Sequence, residues 1–288
     1  MEYLYHLAVL FTIYAGLAIS LDLVVGYTGL LSVTHAAFYG FGAYATAILM
    51  TVYGFNFFTS VLVGIVVSML CALLIGFVLA RFKDDYYALV SFGFNIIVFS
   101  IFLNWQDLTR GPLGIPGIGK PEIFGYTFSS TLQFLVLAIV MMLIVYGIAR
   151  FIVNSSFGRV LKAIREDEKA ISVFGYNTKT YKLVIFVISA GMAAIGGSLF
   201  ASYITFIDPS TFTLNESIFI LAMIILGGLS NVRGAVLGAL FLILLPEILR
   251  FVGFPTDIAA QMRQVVYGGL LIALMLYRPQ GMLGEFKL

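Results

Sequence analysis

Titratable residues inside apolar stretches are the first candidates for chemistry in this sequence. Asp22 and His35 both lie in apolar runs, where such a side chain is costly unless it binds a neighbour, an ion or a substrate. The sequence has only two histidines, His6 and His35, and one cysteine, Cys71, so a disulfide framework, a thiolate metal cluster and a CxxC pair are excluded. We therefore expect no catalytic residue, no metal and no cofactor.

A second candidate for chemistry is the glycine-rich segment 114–120. It matches the first seven positions of the phosphate-binding P-loop pattern, but Pro121 stands where the pattern has Ser or Thr. Without that hydroxyl the segment lacks a magnesium ligand, and no buried strand precedes it. We interpret it as a loop that does not bind nucleotide.

Composition defines the surroundings of these residues. Of the 288 residues, 61% are hydrophobic and 10% are charged, whereas soluble domains have about 45–50% apolar and about 25% charged residues. So few polar groups could not cover the surface of a soluble protein, so the sequence predicts an integral membrane protein in contact with lipid. A net charge of +2 gives no reason to expect nucleic acid as a partner.

Nine apolar runs approach the roughly 20 residues that a helix needs to cross a bilayer. They are residues 4–25, 30–52, 57–80, 86–105, 132–153, 183–206, 214–230, 235–252 and 259–277. Continuous runs favour helices over a barrel, whose strands alternate. The prediction is one all-α membrane domain over residues 1–288 with about nine spans, within a range of eight to ten. The second run is rich in Gly and polar residues, which indicates a bent or broken helix.

The distribution of Lys and Arg predicts the orientation. Seven of the sixteen fall between the fifth and sixth runs, namely Arg150, Arg159, Lys162, Arg165, Lys169, Lys179 and Lys182. Because positive residues are retained in the cytoplasm, loop 154–182 is predicted to be cytoplasmic. Alternation then places the N-terminus and the loop with Asp208 and Glu216 outside, and the C-terminus inside.

Loop 154–182 is too polar to lie in lipid, and it carries apolar residues at helical spacing on both sides of an acidic triplet. Two short helices fit this pattern. Asp167 is the predicted N-cap of the second, with Glu168 near its positive end and Gly175 in position to terminate it. The pattern therefore predicts a stub helix over residues 168–174.

Four segments carry a resemblance to permease subunits of branched-chain amino-acid ABC importers. Loop residues 158–166 (GRVLKAIRE), with Ala170, Gly175 and 181–183 (YKL), resemble the family's cytoplasmic loop. Residues 26–38 are similar to its G-Y-x-G-x-x-S-x-x-H-A-A-F signature, 108–115 to its L-T-x-G-x-x-G-[IL] loop, and 225–234 to its late I-x-G-G segment. The M-type subunit is the closest part of the family.

The resemblance implies a transport subunit in the inner membrane of a prokaryotic cell, not an enzyme. It implies two ABC ATPase subunits, an H-type permease and an extracytoplasmic binding protein as partners, with branched-chain or related amino acids as cargo. It also assigns ATPase coupling to the cytoplasmic loop, where we select five residues: Arg165, Glu166, Glu168, Ala170 and Gly175.

Polar residues in the apolar runs are candidates for the translocation path: Asp22, Ser32, His35 and Asn95. Each could instead serve packing alone, since polar side chains commonly bridge membrane helices. Two other functions stay open. One is a permease of the same family for urea or short amides. The other is an ion-coupled secondary transporter. The sequence has one candidate intramembrane carboxylate but lacks the clear inverted repeat expected of that class.

Overall fold

A computed structural model describes residues 2–82, 84–123, 126–251, 268–269, 272 and 280–283. Nearly all of the ninth predicted run, 259–277, lies outside the described residues. The described part contains eleven α-helices. They are α1 (Glu2–Thr28), α2 (His35–Thr51), α3 (Phe57–Leu79), α4 (Asp84–Asn104), α5 (Gln106–Thr109), α6 (Thr131–Asn154), α7 (Ser156–Glu166), α8 (Glu168–Val173), α9 (Thr178–Ile204), α10 (Leu214–Gly227) and α11 (Val232–Phe251).

Helices α1 and α9 are largely buried in protein, whereas α3, α4 and α6 turn most of their apolar surface outward. Helix α2 packs along α9 and α3, and α1 packs along α6, α9 and α11. The α2–α9 contact is close because glycines line it: a Cβ at Gly42 would overlap the backbone of Ala194, and one at Gly197 would overlap that of Tyr39. Small residues allow this backbone approach in membrane helices.

The all-α membrane fold is confirmed, but the count of nine spans is not. Within the described residues, α1, α3, α4, α6 and α9 are long and apolar enough to cross a membrane, and α10 with α11 could form a sixth, broken span. Helix α10 has 14 residues, and at about 1.5 Å per residue it covers roughly 21 Å of a hydrocarbon core about 30 Å thick. Helix α10 alone is therefore shorter than a full span, and the separate span predicted for the run 214–230 is not confirmed.

The break between α10 and α11 bends the chain by 118°. Gly228 and Ser230 adopt positive φ values of 103° and 62° there, a conformation that ends the helical hydrogen-bond pattern. In the second apolar run, residues 30–34 are not helical and α2 begins only at His35, so the run starts with a non-helical segment and continues as one helix to Thr51.

In the described residues, four two-residue strands lie in the loops that follow α4 and α9. Strand β1 (Ile115–Pro116) pairs antiparallel with β4 (Phe206–Ile207), and β2 (Glu122–Ile123) pairs with β3 (Tyr126–Thr127). Segment 114–120 thus contains a short strand, and the next element is another strand, not the helix that follows a P-loop.

Candidate functional site

Arg165, in the last turn of α7, turns inward to the membrane helices. Its Nη1 donates to the carbonyl oxygen of Gly26 at 2.7 Å and to Ser230 Oγ. The side chain is only 10% exposed. We call the group of Arg165, Gly26 and Ser230, with Asp22 bound to Ser230, the Arg165 latch.

Asp22 belongs to the same latch. Its Oδ1 accepts a hydrogen bond from the Ser230 backbone N–H at 3.0 Å, and Ser230 Oγ donates to Gly26 O at 2.5 Å. Asp22 is fully buried. Asp22 was predicted to line the path and Arg165 to contact the ATPase, yet the structure brings both to one place. Removing the guanidinium near this buried carboxylate would leave a buried charge without compensation, which is costly.

The latch joins the α7 end of the loop to α1 and to the α10–α11 break. A short C-terminal segment is attached beside it, since the N–H groups of Met282 and Leu283 donate to Leu226 O and Gly227 O, each at 2.9 Å. A displacement of α7 would therefore act directly on α1 and on the broken helix pair.

Helix α8 starts where its local signals predict. Asp167 is the N-cap and accepts from Ala170 N at 3.0 Å. The helix ends at Val173, one residue before the predicted end, and Gly175 follows with φ +87°. This left-handed conformation favours glycine.

Glu168 attaches α8 to α9. Its Oε1 accepts from Thr178 Oγ1 at 2.9 Å and its Oε2 from Lys182 Nζ at 2.7 Å. The pair is partly exposed, so it holds α8 in place with only modest energy. Glu168 therefore faces the permease and does not project outward.

The C-terminal end of α8 exposes two apolar side chains. Val173 is 86% exposed and Phe174, the C-cap residue, is 78% exposed, and α8 buries none of its residues. We call these two residues the α8 tip. Of the five predicted coupling residues, Glu166 and Gly175 are exposed, Ala170 is half-buried, and Arg165 and Glu168 point inward. The tip was missed, although two apolar residues beside a glycine in a polar loop are a usable signal.

Three of the four predicted path residues meet around the first turn of α2. His35 Nε2 shares a hydrogen bond with Ser20 Oγ at 2.6 Å. Ser32 Oγ lies 3.0 Å from Thr34 Oγ1. Asn95 Nδ2 donates to Ser217 Oγ at 3.1 Å. We call this group the His35 cluster.

Helices α1, α4, α9 and α10 all contribute to the His35 cluster. Ser217 Oγ accepts from the Ala36 N–H at 2.9 Å, Ser91 Oγ accepts from the Val33 N–H at 3.1 Å, and Ser189 Oγ donates to Ser20 O at 2.5 Å. These serines were missed, because isolated serines are common in apolar runs. Asp22 shares no hydrogen bond with the cluster in the described part of the chain.

The His35 cluster is buried and contains no Asp, Glu, Lys or Arg, so the imidazole of His35 is its one titratable group. It offers hydroxyl, amide and imidazole groups, which can bind the polar groups of a passing solute. Within the residues that the structure describes, no group of three or more His, Cys, Asp or Glu could hold a metal ion.

Fold and sites together define a multi-pass, all-helical membrane protein with a polar two-helix loop. The model of the family described as "Branched-chain amino acid transport system / permease component" matches residues 3–275. The chain therefore belongs to this branched-chain amino acid transport system permease family.

Individual relatives agree with this membership. The chain is 34% identical to the high-affinity branched-chain amino acid transport system permease protein LivM of Escherichia coli K12, over 96% of this chain and 69% of that protein. It is 28% identical to BraD of Pseudomonas aeruginosa, over 94% and 92% of the two chains, and 29% identical to LivH of Escherichia coli K12, over 99% and 97%. No solved structure matches the chain.

Proposed function

We propose that this chain is the M-type permease subunit of an ABC importer that moves branched-chain amino acids across a prokaryotic inner membrane. The observation that carries the proposal is the family match over residues 3–275, together with relatives named as branched-chain amino acid permeases. Those names favour neither the urea or short-amide alternative nor the ion-coupled one.

The proposed complex has two ABC ATPase subunits, an H-type permease and an extracytoplasmic binding protein. ATP hydrolysis belongs to the ATPase subunits, so this chain is not an enzyme. The similarity to both a LivM and a LivH protein supports a pair of related permeases. The binding protein delivers the cargo and provides most of the selectivity.

In the proposed orientation, loop 154–182 and the C-terminus are cytoplasmic, and the loops beyond α4 and α9 are outside. Two observations support it. The segment at Met282 and Leu283 lies beside the α10–α11 break, on the same side as the Arg165 latch. The β1–β4 pair lies at the other end of α9, whose 27 residues span about 40 Å. The single domain of about nine spans remains part of the proposal.

Coupling is proposed to use the loop in two parts. The exposed α8 tip sits in a cleft of the ATPase, while the Arg165 latch and Glu168 attach the loop to α1, α9 and the α10–α11 break. When ATP closes the ATPase pair, the movement of α8 passes through α7 to these helices. The largely exposed apolar tip supports the first part, and the inward bonds of Arg165 and Glu168 support the second.

The His35 cluster is proposed to lie on the translocation path, with Ser32, His35 and Asn95 as its members. Asp22 is proposed to act through the latch, because its carboxylate already binds the Ser230 N–H. Polar groups from five helices, α1, α2, α4, α9 and α10, meet in the cluster, so a change in helix packing would open or close it.

The proposed function is tested by reconstituting the chain with its ATPase, H-type permease and binding protein in liposomes. We expect ATP-dependent uptake of leucine, isoleucine or valine, and none of urea. Orientation is tested in cells with a membrane-impermeant maleimide: Thr211→Cys should react in intact cells with a permeable outer layer, and Lys179→Cys only after the inner membrane is opened. Uptake of urea but not leucine, or labelling of Lys179→Cys from outside, would contradict the proposal.

A further inference from the structure

Glu216 lies in the interior of the helix bundle, whereas the charge pattern predicts that it lies in an outer loop. It is in the first turn of α10, and its Oε1 accepts a hydrogen bond from the Tyr14 hydroxyl at 2.5 Å. Tyr14 is near the middle of the 27-residue α1, so the contact lies roughly 20 Å from either end of that helix. Asp22 belongs to α1 and Glu216 contacts α1 through Tyr14, so both carboxylates lie along the buried length of this helix.

The two carboxylates differ in their partners. Asp22 is fully buried and belongs to the Arg165 latch, whereas Glu216 is half-buried. The ion pairs within the described part of the chain, Arg165–Glu166 and Lys182–Glu168, leave Glu216 out. A carboxylate at this depth without a cation is costly, and it is therefore a candidate for binding one.

A second group points to a ligand at the same place. The hydroxyl of Tyr39 is buried and has no hydrogen-bond partner among the described residues. Its ring is held between Phe200 and Phe212, with ring centroids 5.5 and 5.1 Å away. Ser217, next to Glu216, accepts a hydrogen bond from the Ala36 N–H one helical turn before Tyr39, so Tyr39 and Glu216 lie in the same region. A buried hydroxyl normally finds a partner. The Tyr39 hydroxyl oxygen can therefore accept a hydrogen bond from a donor group of a ligand that enters the site.

The chemistry of this site suits an ammonium group better than a metal ion. Calcium needs six to eight oxygen ligands and magnesium an octahedral set, whereas the described residues here offer one carboxylate and two phenol oxygens. An ammonium group has three N–H donors, which a carboxylate and phenol oxygens can accept. Aromatic rings beside it add a favourable cation–π contribution.

We propose that Glu216, together with the Tyr39 hydroxyl, binds the α-ammonium group of the amino-acid cargo on its way through the membrane. Tyr14 positions the carboxylate. The next residue, Ser217, connects this site to the His35 cluster through Asn95 and the Ala36 N–H. The cluster then contacts the rest of the cargo. This proposal rests on the proposed function, because it assigns a site to that cargo.

The test uses the complete complex in liposomes and a hydrophobic carbodiimide that modifies carboxyl groups in apolar surroundings, with mass spectrometry to follow the Glu216 peptide. At ten times its Kd, leucine should slow this labelling about tenfold, since it leaves about one site in eleven free. Isopentylamine, which keeps the ammonium and lacks the carboxylate, should also protect. The des-amino analogue 4-methylpentanoate should not.

Transport gives the second readout. Glu216→Gln should lower leucine uptake by on the order of tenfold or more, the loss expected for a hydrogen bond to a charged group, and Tyr39→Phe should lower it less. Asp208→Asn is the matched control: Asp208 is bound by Ser210 and Thr211 of its own loop, and the change should leave uptake at the wild-type rate.

The outcomes separate this site from the function on which it rests. Equal protection by 4-methylpentanoate, protection by sodium alone, or wild-type leucine uptake by Glu216→Gln would overturn the ammonium site while leaving the transport function intact. Protection of Glu216 by isopentylamine in a complex that takes up no amino acid would support the ammonium site and contradict the proposed function. The labelling measurement uses the unmodified chain, so it does not depend on the folding of a variant.

Discussion

Helices α7 and α8 follow each other in the same polar loop, yet they make opposite kinds of contact. The α7 end is held by the Arg165 latch, with Arg165 bonded to Gly26 and Ser230. Helix α8 buries none of its residues and exposes Val173 and Phe174. Since a buried, hydrogen-bonded charge resists movement while an exposed apolar pair lacks a partner, one half of the loop belongs to the permease and the other is available to a second protein.

The largest expected effect is on the latch. Arg165→Ala should lower the free energy of unfolding by about 3 kcal/mol, because Asp22 would lose its nearby cation and the Gly26 carbonyl would lose a donor. Denaturant unfolding of the detergent-solubilised complex measures this. Arg159→Ala, on the exposed face of the same helix, is the control and should change stability by less than about 0.5 kcal/mol. Equal effects of the two variants would break the comparison.

The tip should behave in the opposite way. Phe174→Asp should weaken binding of the ATPase by about 2 kcal/mol, or roughly 30-fold, as expected for an apolar residue at the centre of an interface, and should leave the unfolding free energy unchanged. Leu113, 82% exposed at the other end of the molecule, provides the control, Leu113→Asp. Co-purification of the ATPase should decrease for Phe174→Asp alone; an equal decrease for both would remove the tip from the account.

Glu168 lies between the two halves and should show an intermediate effect. Glu168→Lys loses the bonds to Thr178 and Lys182 and places two ammonium groups together, at a cost of about 1–2 kcal/mol. Faster hydrogen exchange of the α8 amides and lower cargo-stimulated ATP hydrolysis are expected. The charge-reversed pair Glu168→Lys with Lys182→Glu should recover most of the loss. Failure of this rescue would argue against the ion pair as the attachment of α8.

The smallest effect concerns the end of α8. Gly175 has φ +87° and open space around its Cα, so Gly175→Ala should cost about 1 kcal/mol of backbone strain. Gly147, a helical glycine in α6 that also has open space, gives the matched control, since Gly147→Ala should stabilise by about 0.5–1 kcal/mol. Unfolding measurements on the two variants should therefore shift in opposite directions.

Local signals were enough to predict part of this structure. The spans α1, α3, α4, α6 and α9 follow from continuous apolar runs, and the start of α8 follows from an Asp N-cap. The interruption between α10 and α11 follows from the two separate runs 214–230 and 235–252, but the bend of 118° between the helices does not. The bend depends on contacts of Ser230 with Asp22 and Arg165, which are far apart in sequence.

The sites show the same division. His35 and Asn95 were found as polar residues in apolar runs. That they lie close together at the start of α2 depends on the tertiary structure and could not be predicted from the sequence. Arg165 was assigned to the correct loop, but its direction depends on which face of α7 meets α1. Glu216 was assigned to the outer loop although it stands at the start of the apolar run 214–230, and nothing local shows that Tyr14 lies beside it.

Contact of the α8 tip with the ATPase is the central claim, and site-directed crosslinking tests it most directly. The native cysteine is first removed by Cys71→Ser. One new cysteine is then introduced, either Val173→Cys or Leu113→Cys, at positions that are 86% and 82% exposed. Each variant is assembled into the complete complex and labelled with a short thiol-reactive photocrosslinker. The account predicts a crosslink from Val173→Cys to the ATPase subunit and none from Leu113→Cys. A crosslink to the ATPase from Leu113→Cys, with none from Val173→Cys, would contradict it.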